Sequence, residues 1–361
     1  MKSAFTKLSS LFASDVSYKD FDKLMKRDLP ELYDFYRRRM KRNPAYNFSK
    51  PGKFTFLKNL FLEFLGQVTP IRRFFYLISL VVFIIGFIGN LGLYTVIAFM
   101  IVNILFALEL TEKILAKNEL EVAREIQTSL LPESFPANEH FEICGFSEPA
   151  LEVGGDYFDF ISHNGNQHTQ YIVIGDISGK GLGAALHMIQ VRTMLSYLTS
   201  GGLSPSEILT ELNEKAGKIF AKGIFLTMCL LKPDRNGKIQ FSRAGHMPLI
   251  IYRAKSDRIE TSTPRGMGIG LTSDSTFREN LEQKTVETCK GDILILYTDG
   301  VIEAKDQSNT EFGESRLQNL VKQNSKRSAG EILELIRQQL ISFSGDTPRH
   351  DDTTVIVIKA I

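Results

Sequence analysis

Four short segments of the 361-residue chain place carboxylates beside glycine or at the end of an apolar run. They are "EVGGDYFDF" (Glu152–Phe160), "IGDISGKG" (Ile174–Gly181), "YTDGVIEA" (Tyr297–Ala304) and "HDDTTVIVI" (His350–Ile358). A carboxylate at such a place is exposed yet rigidly held, and a neighbouring glycine lets backbone approach an ion closely. Asp176 and Asp299 follow runs so apolar that they read as buried strands, so their carboxylates are expected to meet at one edge of the core. Clustered carboxylates repel and take up protons unless a cation neutralises them. Hard divalent ions, Mg2+ or Mn2+, take oxygen ligands of this kind. Two such ions about 3.5–4 Å apart can share a bridging water, lower its pKa and aim it at phosphorus. The chemistry implied is hydrolysis of a phosphate ester. Taken singly, each segment is also an ordinary turn or a solvated cap; only their conjunction points to chemistry.

Two other readings of the glycines compete. "VIGDISGKGLGAALHM" (Val173–Met188) resembles a phosphate cradle, but its spacing is not G-x-x-x-x-G-K-[ST], because Lys180 comes too early. "GGDYF" superficially resembles the GGDEF motif of diguanylate cyclases, yet the glutamate is missing, and that reading leaves "TDG" and "HDD" without a role. Ser178 lacks the His–Asp pattern of a nucleophilic serine.

The elements that must position these residues begin near Phe141. Apolar runs predict strands over Tyr171–Ile174, Phe225–Leu231, Leu249–Tyr252, Ile293–Tyr297 and Val355–Ile358. Helical patterns cover Gly183–Leu198, Pro205–Ala221, Glu314–Gln323 and Ala329–Phe343. Strict βαβ alternation is absent and several strands are joined by short turns. That favours an α+β sandwich with antiparallel sheet over a doubly wound parallel one.

The first third has a different texture. Residues 1–73 carry 16 Lys/Arg against 7 Asp/Glu, so a basic head precedes an acidic body. The 35 residues Phe74–Leu108 contain no charged side chain. As one helix they would run about 52 Å at about 1.5 Å per residue, well beyond a hydrocarbon core of about 30 Å. "GFIGNLG" (Gly86–Gly92) supplies turn residues in the middle, so two helices near 74–88 and 92–109 are expected to form a transmembrane hairpin. Arg72 and Arg73 on one flank and Lys113 and Lys117 on the other place both ends on the cytoplasmic side. The alternative is a buried helical hairpin, though neither half has a polar face to meet water. The basic stretch Tyr36–Lys53 suits either anionic lipid headgroups or a solvated helix face, and residues 18–42 read as helical. A helix over Thr111–Leu131 carries Leu115, Val122, Ile126 and Leu130 at near-helical spacing. It reads either as a short coiled coil with a second copy or as a helix packed on its own domain. Cys144, Cys229 and Cys289 have neither disulfide nor zinc spacing. No signal peptide is visible, and no nucleic-acid partner is expected. The expected divisions are a basic cytoplasmic region 1–70, a transmembrane hairpin 71–110, a linker helix 111–136 and a domain 137–361.

"GGDYFDF", "GDISGKGLGAALHM", "FLTMCLL", "AGHMPLIIY", "GMGIGL", "YTDGVIEA" and "HDDTTVIVI" follow one another in order across Leu151–Ile358. Together they resemble the bacterial branch of metal-dependent, type 2C-like (PPM) serine/threonine phosphatases, the branch of SpoIIE and RsbU. The resemblance covers about residues 119–361, since "AREIQTSLLP" is similar to the helix that enters that domain. It implies a four-layer α-β-β-α sandwich with two Mn2+ or Mg2+ ions at one end of the paired sheets. It assigns Asp176 as the carboxylate bridging both metals, the backbone carbonyl of Ile177 as the adjacent ligand, and Asp299 and Asp351 as the further carboxylates. Asp156 would complete the site directly or through water, with Asp352 as a less certain neighbour. Asp176 and Asp299 would act in catalysis through metal-held water. His350 adjoins a ligand; Lys180 suits either a substrate phosphate or turn solvation; His246 suits either a catalytic or a structural role; His187 reads as core. The resemblance implies phosphoserine or phosphothreonine on a small partner, often a STAS-type anti-anti-sigma factor. It also implies control through the linker helix and dimerisation at 111–131, and a catalytic domain facing the cytoplasm from the bacterial inner membrane. No acidic position of the pattern is lost; a signalling scaffold that binds its phosphoprotein without hydrolysing it is the alternative of a different class.

Overall fold

The computed structural model describes residues 53–132, 139–162, 171–234, 237–272 and 274–361, with Met25, Pro30, Tyr33 and Arg37 besides. The expected helix at 18–42, the basic stretch Tyr36–Lys53 and the linker's end at 133–136 lie, those single positions apart, outside the described residues. The chain divides into two compact units, Met1–Ile114 and Leu115–Ile361.

In the first unit, helix α1 spans Lys53–Gln67 and α2 spans Pro70–Ile88. Helix α3, Gly92–Leu130, begins in this unit and ends in the other. The second hairpin helix and the linker helix run on as one: nothing between Leu108 and Leu130 is glycine or proline, so the apolar half and the charged linker form one 39-residue helix. The turn between α2 and α3 does fall in "GFIGNLG", with Asn90 in the left-handed region at φ 54°. Gly86 allows the two helices to touch, since a Cβ there would come within 2.9 Å of the Thr95 backbone nitrogen. Both α2 and α3 are long and apolar enough to cross a membrane. Most of their large apolar side chains between Ile71 and Leu110 are exposed. The Arg72 guanidinium pairs with Glu109 at 2.9 Å and with Glu112, which offsets part of the positive flank.

The second unit is built on two five-stranded antiparallel sheets. One holds β1 (Phe141–Glu148), β10 (Thr353–Ala360), β9 (Ile293–Tyr297), β6 (Leu249–Arg253) and β7 (Arg258–Ser262), in that order. The other holds β2 (Asp156–Ile161), β3 (Tyr171–Ile177), β4 (Leu226–Pro233), β5 (Lys238–Ala244) and β8 (Gln283–Glu287). Between the sheets lies a layer of Phe158, Ile172, Ile174, Leu231, Leu294, Leu296, Ile356 and Ile358. Side chains of alternate parity reach outward. Tyr171 and Val173 pack on α4 (Leu182–Thr199) and α5 (Pro205–Ile219) through Met188, Val191 and Ile208. Ile293 and Ile295 pack on α8 (Glu314–Gln323) and α9 (Ala329–Ser344) through Leu317, Val321 and Ile336. Two short helices complete the unit, α6 (Asp274–Asn280) and α7 (Asp299–Ile302).

The result is the expected α-β-β-α sandwich. Covering both faces of each sheet explains why the central strands read as continuous apolar runs rather than as the alternation of a half-solvated antiparallel sheet. Helices α5 and α9 start at capping boxes, Ser204 with Glu207 and Ser328 with Glu331. Each such cap stabilises its helix by about 1 kcal/mol.

Candidate metal centre

The sheets bring all four acidic segments to one end of the sandwich. In register, Asp156 at the start of β2 pairs with Asp176 near the end of β3, and Asp176 pairs with Thr227 on β4. On the facing sheet, Asp299 lies just past the end of β9 and Asp351 and Asp352 just before β10. Those two strand ends are tied by the Thr298 N–H, which donates to the Thr354 carbonyl at 3.1 Å.

Two carboxylates are buried and engaged by the protein. Asp352 Oδ1 accepts from the Ala150 N–H at 2.7 Å, and its Oδ2 accepts from the Gly155 N–H at 2.6 Å. Asp156 Oδ2 accepts from the hydroxyls of Thr298 (2.8 Å) and Thr354 (2.6 Å). The glycines of "GGD" and "TDG" make this possible. A Cβ on Gly154 would lie 2.5 Å from Asp352 Oδ2, and one on Gly300 would lie 2.0 Å from the Asp352 carbonyl oxygen. Burial and the charges of Asp176 and Asp352 push the Asp156 carboxyl well above its ordinary range.

The other three, Asp176, Asp299 and Asp351, are half-buried at the open end. The Asp176 carboxyl is pushed up to about 7, by burial first and then by the charges of Asp299, Asp351 and Asp352. Asp299 is raised by burial and by Asp351. A Cβ on Gly155 would sit 2.9 Å from the Ile177 carbonyl oxygen and 3.5 Å from Asp176 Oδ1. The missing side chain leaves those two oxygens open side by side. Among the described residues, no three His, Cys, Asp or Glu side chains already stand in ligating geometry. Asp352 and Asp156 are turned to their hydrogen-bond donors, and Asp351 is paired with Lys180 at 2.7 Å. An all-oxygen set whose members drive each other toward protonation nevertheless fits hard divalent cations.

The remaining residues sort by position. The Lys180 ammonium also donates to the His350 carbonyl, while the His350 side chain is exposed. His246 is buried, its Nδ1 2.9 Å from Thr227 Oγ1. Burial, with the Arg243 charge, pushes its pKa down to about 3. Through Thr227 it contacts the strand that pairs with Asp176. His187 lies away from the site, against Phe220 and 2.9 Å from Gln190. Ser178 Oγ accepts from the Phe225 N–H at 2.9 Å.

Two participants were not anticipated from the sequence. Glu303 is a further carboxylate whose pKa is raised by burial and by Asp299; its only signal was its place in "TDGVIEA". Gln127, in the last turn of α3, is buried. Its Nε2 donates to the Gly154 carbonyl at 2.7 Å and its Oε1 accepts from the Gly154 N–H at 3.1 Å. It clamps the loop on which Asp156 and the Asp352 donors stand.

Comparison with known proteins agrees with the fold. The PP2C domain of SiaA from Pseudomonas aeruginosa superposes with a TM-score of 0.60 at 21% identity, over 69% of this chain and 98% of that domain. Phosphoserine phosphatase RsbU of Bacillus subtilis is 30% identical over 247 residues, covering 67% of this chain and 70% of RsbU. Protein IcfG of Synechocystis is 29% identical over 273 residues, which is 66% of this chain but only 41% of IcfG. Fold, site and sequence kinship together define a PP2C-type serine/threonine phosphatase. Within that class, residues 166–361 match the family described as Stage II sporulation protein E (SpoIIE), and the chain belongs to it. The diguanylate cyclase reading of "GGDYF" falls with that assignment: Asp156 serves a phosphatase sandwich.

Proposed function

We propose that this phosphatase is anchored in the bacterial inner membrane and removes phosphate from phosphoserine or phosphothreonine on a small cytoplasmic signalling protein of the STAS type. Two divalent cations, Mn2+ or Mg2+, would serve it. The observation that carries the reading is the convergence of four acidic segments, from Asp156 to Asp352, 196 residues apart, on one end of the sandwich.

Asp176, the Ile177 carbonyl, Asp299 and Asp351 would hold the cations, with Asp156 completing the site directly or through water and Asp352 behind them. Bound there, the cations would offset the carboxylate charge and supply a nucleophilic water at neutral pH. The chain's own part is orientation. The Asp352 carboxylate fixes the loop carrying Gly155, and the Thr298 and Thr354 hydroxyls fix Asp156.

The name of RsbU, a phosphoserine phosphatase, supports the substrate class. The exposed apolar length of α2 and α3 supports the anchor. Leu115, Val122 and Ile126 are each more than half exposed along the linker half of α3, which supports pairing with a second copy. Gln127, in the same helix, gives such pairing a route to the "GGD" loop.

The test is release of phosphate by the full chain, purified in detergent, from p-nitrophenyl phosphate and from a phosphorylated STAS-type protein. Activity should require Mn2+ or Mg2+ and vanish in Asp176→Asn and Asp299→Asn. If neither the ion nor either substitution alters the rate, the two-cation reading is wrong. A scaffold would instead bind the phosphoprotein and release nothing. Capture with Asp299→Asn, followed by phosphopeptide identification, names the partner. Resistance of the chain to carbonate extraction from membranes tests the anchor.

A further inference from the structure

Lys180 stands where the proposed site needs room for a positive ion. Gly179 (φ 101°) and Gly181 (φ 72°) flank it. Both take a left-handed backbone that other residues resist, so the chain turns on either side of the lysine and presents it at the tip of the β3–α4 loop. Its ammonium lies 2.7 Å from Asp351 Oδ2 and donates to the His350 carbonyl.

A divalent cation on Asp351 Oδ2, the oxygen the ammonium already holds, would sit about 2.0–2.2 Å from it. Added to the 2.7 Å already spanned, that keeps it within about 5 Å of the ammonium, where like charges repel strongly even in a polar medium. Lys180 and the cation therefore compete for Asp351. We propose that Lys180 is a built-in counter-cation that holds Asp351 in the metal-free protein and is displaced when a divalent cation binds. This rests on the two-cation reading of the site. By pairing with Asp351 the lysine offsets part of that carboxylate's charge and so weakens the grip on metal. A surface ion pair with no such role would leave metal affinity unchanged.

The test is calorimetric titration of Mn2+ into the metal-stripped full chain in detergent, for wild type, Lys180→Gln, Lys180→Met and Lys180→Arg. Removing the charge should tighten Mn2+ binding by about three- to tenfold, the order expected for losing a half-exposed ion pair in a crowded carboxylate site. It should also lower the melting temperature of the metal-free chain. Lys180→Arg, which keeps the charge, should stay near wild type in both. Equal or weaker Mn2+ binding in both Lys180→Gln and Lys180→Met, with the fold intact by circular dichroism, overturns the exchange while leaving the two-cation reading in place. A wild-type chain that takes up no Mn2+ overturns the two-cation reading itself, and the exchange with it.

Discussion

The two tiers of carboxylates at the end of the sandwich differ in what holds them. Asp156 and Asp352, at the back, are 5% and 8% exposed and accept hydrogen bonds from threonine hydroxyls or backbone N–H groups. Asp176, Asp299 and Asp351, in front, are half-buried and face one another's charges; Asp351 pairs with Lys180 and accepts from the Asp352 N–H, and Asp299 accepts from the Gly300 N–H. The back tier is part of the fold, because removing a buried acceptor strands its donors. The front tier costs the fold stability, because its charges repel and Lys180, paired with Asp351 alone, offsets only part of them. A single segment, "HDD", contributes one residue to each tier. Neighbours in sequence can thus do opposite work, depending on which side of a strand end they face.

The largest effect should come from neutralising the front tier. Asp299→Asn is expected to lower kcat/KM by about a thousandfold or more, the order seen when a group acting on the transition-state charge is lost. The metal-free melting temperature should stay level or rise, since one repelling charge is gone. A fall of many degrees in the metal-free protein would erase the distinction between the tiers.

Asp352→Asn should do the reverse. The amide places an N–H donor where a carboxylate oxygen now meets Ala150 or Gly155, so at least one buried donor loses its acceptor. The expected destabilisation is about 2–3 kcal/mol, read as a melting temperature lower by several degrees for a domain of this size. Differential scanning calorimetry with and without Mn2+ checks it: the loss should persist in both conditions.

The tiers were unequally legible in the sequence. Asp176 and Asp299 stood out because β3 and β9 are apolar on both faces and end abruptly in a carboxylate. The edge strands were not legible: β7, "RIETS", and β8, "QKTVE", bury few side chains, so they carry no apolar pattern to read. Gly154 and Gly300 looked like turn residues, and their reason is a close approach to Asp352, roughly 200 and 50 residues distant, which no local pattern encodes. Gln127 was hidden by its helix. The apolar stripe of Leu115, Val122 and Ile126 read either as a seam with a second copy or as a face packed on its own domain; those residues are exposed, while the polar Gln127 is buried against the domain. Helical periodicity finds a face but not which neighbour it meets.

A pH series sharpens the same contrast. The front tier's Asp176 has a folded pKa raised to about 7 from its ordinary value of 3.8. A raised acid favours the folded state fully below its unfolded pKa, and that contribution is lost as pH climbs through the folded one. The metal-free chain should therefore lose melting temperature between about pH 4 and pH 7, by a few degrees. Saturating Mn2+ should flatten or invert the slope, because the cation binds the charged form. A metal-free profile that rises over that window would mean the front carboxylates are already compensated by the protein.

The smallest expected effect probes whether the back tier answers to the helix that enters the domain. The Gln127 amide both donates to and accepts from Gly154, and Gly155 next to it donates to Asp352. Gln127→Glu keeps size and acceptor but loses the Nε2 donor, so a carboxylate oxygen would face the Gly154 carbonyl. Gln127→Ala loses both bonds and leaves the loop's N–H and carbonyl without partners. Substituting a residue that orients ligands indirectly typically changes metal affinity or activity by 10–100-fold. Since Gln127 is one step further removed, about tenfold is expected for either variant. The loss should appear as a higher Mn2+ requirement, with the rate at saturating Mn2+ largely recovered. If instead the saturated rate falls and the Mn2+ requirement is unchanged, Gln127 supports packing alone, and the end of α3 has no say in how the carboxylates are held.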